Sequence, residues 1–348
     1  MIEQLSRFGF TRRRTDRVAV AGWLVIGLFA LAAVFAGFLA PYDYSAQSRA
    51  EPSAPATAIH FNGLTPIIYP RRIEDPLRRT YSEDPSVAFP LGFFVRGYSY
   101  KLLGIVETDV HLFGIRSTSG IAPRINLLGT DQLGRDRFSR LLYAIRFSLI
   151  VALFGVVVAC LVGILIGAVS GYAGRLVDTL LMGATDAMLA LPTLILILGV
   201  RAAFPLELPI TRAALLLLLI FALTGWAEMA RLTRGLVLSL RKREFVIAAV
   251  ALGVSRTKVL FRHILPNILP SLRTRALLLL PTFLLAEVAL SYLGVGLQEP
   301  EPSLGNMLTA ASDLDQLRSQ PLSILSPALA VLLFTLGVRL IGRSERTQ

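Results

Sequence analysis

The sequence predicts an all-α membrane protein of six spanning helices, with an extended extracytoplasmic segment after the first. Hydrophobic residues make up 54% of the 348-residue chain and charged residues 17%, against about 25% charged in an ordinary soluble domain. Six apolar runs recur along it, each close to the ~20 residues that a helix needs to cross a ~30 Å hydrocarbon core. The net charge is +12, a balance that suits nucleic acid or a membrane surface, and the composition selects the membrane. Helices are required because lipid offers the backbone's polar groups no partner.

The first run, 18–40, holds 23 residues without a charge. Arg12, Arg13, Arg14 and Arg17 precede it, as in a signal peptide. The run exceeds the usual apolar core of about 7–15 residues, and Ala40-Pro41-Tyr42-Asp43 is a poor cleavage site. A signal anchor is expected. The second run, 147–172, has 26 uncharged residues. The third, 177–200, carries Asp178 and Asp186, and the fourth, 213–232, has Glu228 near its end. The fifth, 276–298, is interrupted by Pro281 and Glu287. The sixth, 322–338, is 17 residues without a charge.

Between the first two runs, residues 41–146 hold 13 basic and 10 acidic residues. They read as loops with a few short strands, a small extramembrane domain. The five later runs form a core over 147–341, bounded by tails at 1–17 and 342–348. Arginine is concentrated in the N-terminal tail and in 231–275, which has ten basic residues and one acid, Glu244. The positive-inside rule makes that side cytoplasmic and puts both termini inside. Arg135, Arg137, Arg140 and Arg146 count against this orientation. Cys160 sits in an apolar run and reads as a buried thiol, and the three histidines are too far apart for a metal site.

The loop 231–275 carries the most information. In 243–253 the residues Phe245, Ala248, Ala249 and Leu252 fall at i, i+3, i+4 and i+7, one apolar helical stripe. Gly253 stops or bends the helix. Ser255 can cap a second short helix, which is expected to end before Leu265-Pro266. Two short helices at an angle suit docking into a groove on a soluble partner, or a loop lying on the membrane surface. The residues by themselves leave both open. Asp186 and Glu287 are acids within apolar runs. Their insertion costs roughly 2.5–3.5 kcal/mol on translocon scales, so each is a candidate for the solute pathway or for a bond between helices.

Ala248-Ala249, Gly253 and Leu265-Pro266 together resemble the "EAA" loop of bacterial ATP-binding-cassette (ABC) importer permeases. Leu128-Gly129-Thr130-Asp131, Gly134-Arg135-Asp136-Arg137, Glu287-Val288-Ala289-Leu290-Ser291-Tyr292 and Glu299-Pro300-Glu301-Pro302 are similar to stretches of the dipeptide/oligopeptide/nickel permeases, of DppC/OppC type, and stand in family order. The motif's namesake glutamate is replaced by Ile247. The resemblance implies a six-helix permease fold in the bacterial inner membrane, with a translocation path for peptides or a similar small solute. It also implies a coupling loop made of Glu244, Phe245, Ala248, Ala249, Leu252, Gly253, Leu265 and Pro266. The implied partners are a second permease subunit, two ATPase domains, an extracytoplasmic solute-binding protein and membrane lipid, with no nucleic acid. ATP and Mg would be held by the ATPase, since the chain has no G-x-x-x-x-G-K-[ST] phosphate loop. An ion-coupled secondary transporter is the rival reading, for which Asp186 and Glu287 would serve.

Overall fold

The computed structural model describes residues 2–75, 79–102, 104–115, 123–205 and 208–345. Residues 346–348 of the expected C-terminal tail lie outside the described residues. Among those described, five helices are long and apolar enough to cross a membrane, or six if one sharply bent pair counts as a single span. The chain divides into two compact units. One comprises Met1–Trp23, Ile150–Glu287 and Thr335–Gln348, the other Leu24–Leu149 and Val288–Phe334.

In chain order the helices are α1 (Ile2–Val34), α2 (Ala36–Leu39), α3 (Arg137–Tyr172), α4 (Arg175–Ala190), α5 (Thr193–Ala202), α6 (Ile210–Leu240), α7 (Glu244–Ala251), α8 (Arg256–Val259), α9 (Leu265–Tyr292), α10 (Leu304–Leu308), α11 (Leu314–Ser319) and α12 (Pro321–Glu345). Most spans run past their apolar stretch. Helix α3 begins ten residues before the expected start at 147, and α6 ends eight after the expected end at 232. Charged residues at a span's end are compatible with helix once they reach water or a counter-charge, so a count of uncharged residues underestimates helix length.

The first unit is built on small residues. Gly163, Gly167 and Gly171 recur every fourth position on α3 and face α6. A Cβ on Gly163 would lie 2.6 Å from both the Trp226 carbonyl oxygen and Met229 Cβ, and one on Gly171 would lie 2.9 Å from Val237 Cβ. With no hydrophobic drive between helices in lipid, such close backbone approach supplies the packing attraction. Phe221 on α6 stacks on Phe283 of α9, with centroids 4.6 Å apart and planes 14° from parallel.

Two expectations are corrected in this unit. The third run is not one helix, because α4 and the turns from Ile195 to Ala202 are bent by 91°. Leu191 is extended, with ψ 130°, as the residue before a proline prefers, and Pro192 then sets the new direction. The second correction concerns Leu265-Pro266, where the helix was expected to stop. It continues from Arg256 to Tyr292 through a wider π turn, Leu260–Ile264. There the Leu265 N–H donates to the Leu260 carbonyl, five residues back. The register slips by one just before a residue with no N–H to give, and the wider turn leaves room for its ring.

In the second unit the strands are β1 (His60–Asn62), β2 (Thr65–Ile68), β3 (Arg71–Asp75), β4 (Thr80–Glu83), β5 (Phe89–Leu102) and β6 (Val106–Ile115). An antiparallel sheet runs β1-β2-β5-β6, and β3 pairs with β4 as a separate hairpin. The expected short strands are thus joined by two long ones, of 14 and 10 residues. Their aromatic and β-branched content fits a pleated surface, but their alternation is broken by a register shift between Arg96 and Tyr100. The sheet is fastened at buried His111. Its Nδ1 lies 2.9 Å from the Gly37 carbonyl on α2, and its Nε2 lies 3.0 Å from the Tyr98 carbonyl. The Tyr98 and Tyr143 hydroxyls meet at 3.0 Å, tying β5 to α3.

Candidate functional site

Helix α7 is only eight residues long, yet most of its apolar side chains are exposed. Phe245 is 44% exposed, Ile247 58%, Val250 50% and Leu252, just past the helix, 84%. Glu244 and Ala248 are exposed as well, while Val246 and Ala249 are buried. The expected stripe is therefore split. Phe245, Ala248 and Leu252 remain open, but Ala249 is turned into the chain's own packing. The helix ends as its glycine implied. Gly253 has φ +78°, its N–H reaches the Val250 carbonyl at 3.0 Å, and the Val254 N–H reaches Ala249 at 3.1 Å. That pair of bonds is a Schellman closure. Beside α7 a cleft of about 440 Å³ is lined by Tyr172, Arg241, Val246, Ile247, Val250 and Arg256. Leu265 is half-buried and Pro266 exposed within the continuous helix.

The acids in the apolar runs are not left to lipid. Asp178 on α4 takes both arms of Arg234 on α6, at 2.5 and 2.6 Å, and the Ser170 hydroxyl donates to it at 2.5 Å. Asp186, two turns further along α4, pairs with Arg231 on α6. Glu228 on α6 pairs with Arg275 on α9. Arg231 and Arg234 are less than one turn apart on α6 while the two aspartates are about two turns apart on α4, so the two pairs were not legible in the sequence as matched spacing. Glu287 is fully buried in α9.

A second site was missed by reading the sequence. In the second unit, a pocket of about 400 Å³ is lined by Asp131, Arg135, Arg137, Arg140, Glu299 and Asn306, with others. Arg135 Nε donates to Asp131 at 2.6 Å and Arg135 Nη1 to Glu299 at 2.6 Å. Arg140 Nη2 donates to both Glu299 oxygens, at 2.9 and 3.0 Å. Asp136 caps α3 by accepting from the Ser139 N–H at 2.7 Å. Burial raises its carboxyl to about 6, only partly offset by the Ser139 bonds. Asn306 closes a capping box with Ser303 at the start of α10 and donates to the Glu301 carbonyl at 2.8 Å, which fixes the loop bearing Glu299. The signal available was three arginines within six positions at the mouth of an apolar run. Glu299, the partner of Arg135 and Arg140, lies about 160 residues away, so no local pattern joins them. Among the described residues, no group of three His, Cys, Asp or Glu is placed to hold a metal ion.

Residues 163–344 match the family described as the binding-protein-dependent transport system inner membrane component. Residues 9–56 match the N-terminal TM domain of oligopeptide transport permease C. All six strands fall between these two stretches. The chain is similar to the dipeptide transport system permease protein DppC of Alkalihalophilus pseudofirmus, 37% identical over 63% of this chain and 69% of that protein. It is 33% identical to the oligopeptide transport system permease protein OppC of Bacillus subtilis, over 63% and 69% of the two chains. A di/tripeptide transport system permease protein DppC of Pseudomonas aeruginosa is 35% identical over 63% and 70%.

Proposed function

Because the chain belongs to the family of binding-protein-dependent transport system inner membrane components, and is a membrane permease subunit of it, we propose that it lines the translocation path for peptides in an ATP-driven importer. The family match over 163–344 carries this reading, and the peptide class follows the names of its relatives. The complete transporter then has a second permease chain beside this one in the bacterial inner membrane, two ATPase domains on the cytoplasmic side and an extracytoplasmic binding protein. Both termini and α7 face the cytoplasm. The external arginines that count against this orientation are weakened as evidence by pairing, since Arg135 and Arg140 are matched by Asp131 and Glu299.

In this reading α7 is the part that an ATPase grips. An exposed apolar helix of eight residues, fixed at its end by Gly253, presents Phe245, Ala248 and Leu252 to a groove. Glu244, Leu265 and Pro266 frame it. ATP-driven closure of the ATPases moves α7, and the permease pair exchanges inward for outward opening. The α7 contact must differ in free energy between those states, or ATP could not bias them. The π turn and α9 follow α7 in the chain and carry its displacement into the membrane. Asp186 acts in the ion-pair ladder rather than as a proton carrier, and Glu287 acts within the packed bundle.

The test has two parts. The detergent-solubilised complex should retain a P-loop ATPase on purification. Cells lacking the chain should lose uptake of labelled dialanine and regain it when the gene is restored. Uptake that follows an ion gradient and survives ATP depletion would establish the secondary-transporter reading in its place.

A further inference from the structure

The pocket in the second unit contains a buried cation with unmet donors. Arg137, the first residue of α3, is 4% exposed and lines the pocket. Its Nε and Nη1 are buried and meet no acceptor. The two other arginines of the wall are already engaged by Asp131 and Glu299. A guanidinium taken out of water with donors unpaired is costly, and such a group gains most from an anion that brings its own oxygens. The pocket, at about 400 Å³, lies within the ~300–1,000 Å³ usual for small-molecule sites.

The walls restrict the anion. Asp131 and Glu299 stand in the same lining, so a doubly charged phosphate meets repulsion that a singly charged group meets less. A carboxylate is planar, carries one charge and offers two acceptor oxygens, which is the shape a guanidinium recognises. We propose that this pocket binds the free C-terminal carboxylate of a short peptide, with Arg137 as the anion ligand and Arg135 and Arg140 held in place by Glu299. The peptide part of this rests on the permease reading above. The carboxylate part rests on the pocket alone.

The full-length chain, purified into lipid nanodiscs, is titrated calorimetrically with dialanine and with dialanine amide. Dialanine should bind at least tenfold more tightly than the amide. Arg137→Gln should weaken dialanine to the level of the amide and leave the amide's own binding unchanged, and Arg137→Lys should fall between. Equal binding of the two ligands to the unaltered chain, or no binding of dialanine, overturns the proposal without need of a variant. Should Arg137→Gln fail to fold, Ala310→Trp fills the pocket without touching the arginine, and persistence of the tenfold preference in that variant overturns the site. Acetate competing as well as dialanine overturns the peptide assignment. ATPase retention and cellular uptake are measured separately, so loss of the carboxylate preference with uptake intact rejects this site and leaves the permease reading standing.

Discussion

Gly163 gives the sharpest test of how the first unit is packed. Replacing it with alanine adds one methyl group at a point where α3 meets α6. The new Cβ would sit 2.6 Å from the Trp226 carbonyl oxygen and 2.6 Å from Met229 Cβ. Real contacts of this kind are no closer than about 3.3 Å, so the helices must part by roughly 0.7 Å or the methyl remains strained. One of the two obstacles is backbone and cannot swing away. Overpacking of this type costs about 1–3 kcal/mol, and separation along the Gly163/Gly167/Gly171 row adds lost contacts at its other members. Alanine's higher helix propensity, worth up to about 1 kcal/mol, does not offset this. Gly235 on α6 supplies the control, since it is exposed and a Cβ there meets nothing within 4 Å. Gly235→Ala should therefore leave stability unchanged or raise it. Thermal unfolding in detergent, followed by intrinsic fluorescence, should show Gly163→Ala melting several degrees below the unaltered chain. A Gly163→Ala protein as stable as Gly235→Ala would refute the close approach of α3 and α6.

Asp136 makes stability depend on pH. Its folded carboxyl is raised to about 6, above its unfolded value, so the native state binds the extra proton and stability falls as pH climbs from about 4 to about 6, by up to ~3 kcal/mol. Asp136→Asn keeps an oxygen for the Ser139 N–H and should flatten that slope in unfolding measured from pH 4 to 7. On α7 the two alanines should separate. Ala248→Arg, on the open face, should keep the melting temperature and lose ATPase retention. Ala249→Arg should lower the melting temperature itself, because an unpaired buried charge costs several kcal/mol. Gly253→Val should destabilise by about 1–2 kcal/mol, since a β-branched residue pays for the left-handed turn, and a melting point equal to the unaltered chain would show that the turn can rearrange.

Composition and local pattern made the membrane class, the six apolar runs, the α7 helix and its glycine stop readable, because each depends on residues close in the chain. The spans' true ends were not readable. Helix α3 extends back to Arg137 because Arg135 and Arg140 flank its start with their charges satisfied by Glu299, and nothing near residue 140 announces a carboxylate at 299. Pro192 and Pro266 make the same point, because the residue type is identical and the outcome opposite. The first ends a helix where the preceding leucine turns extended, and the second is absorbed where a π turn shifts the hydrogen-bond register.

The sequence by itself determined that this chain enters a membrane as helices, since transfer of apolar side chains and satisfaction of backbone polar groups are summed along the chain. It also determined that the stretch 243–253, ending at its glycine, forms a helix with an apolar surface. Tertiary structure alone decided which side of that helix is open, placing Ala249 inward and Ala248 outward, because burial is set by neighbours and not by period. It likewise decided which charges are free to act. Asp178 and Asp186 are matched by arginines on α6, and Arg135 and Arg140 by one distant glutamate, while two donors of Arg137 meet no acceptor. A charge's role depends on what lies within a few ångströms of it, and that is settled only when residues far apart in sequence are brought together.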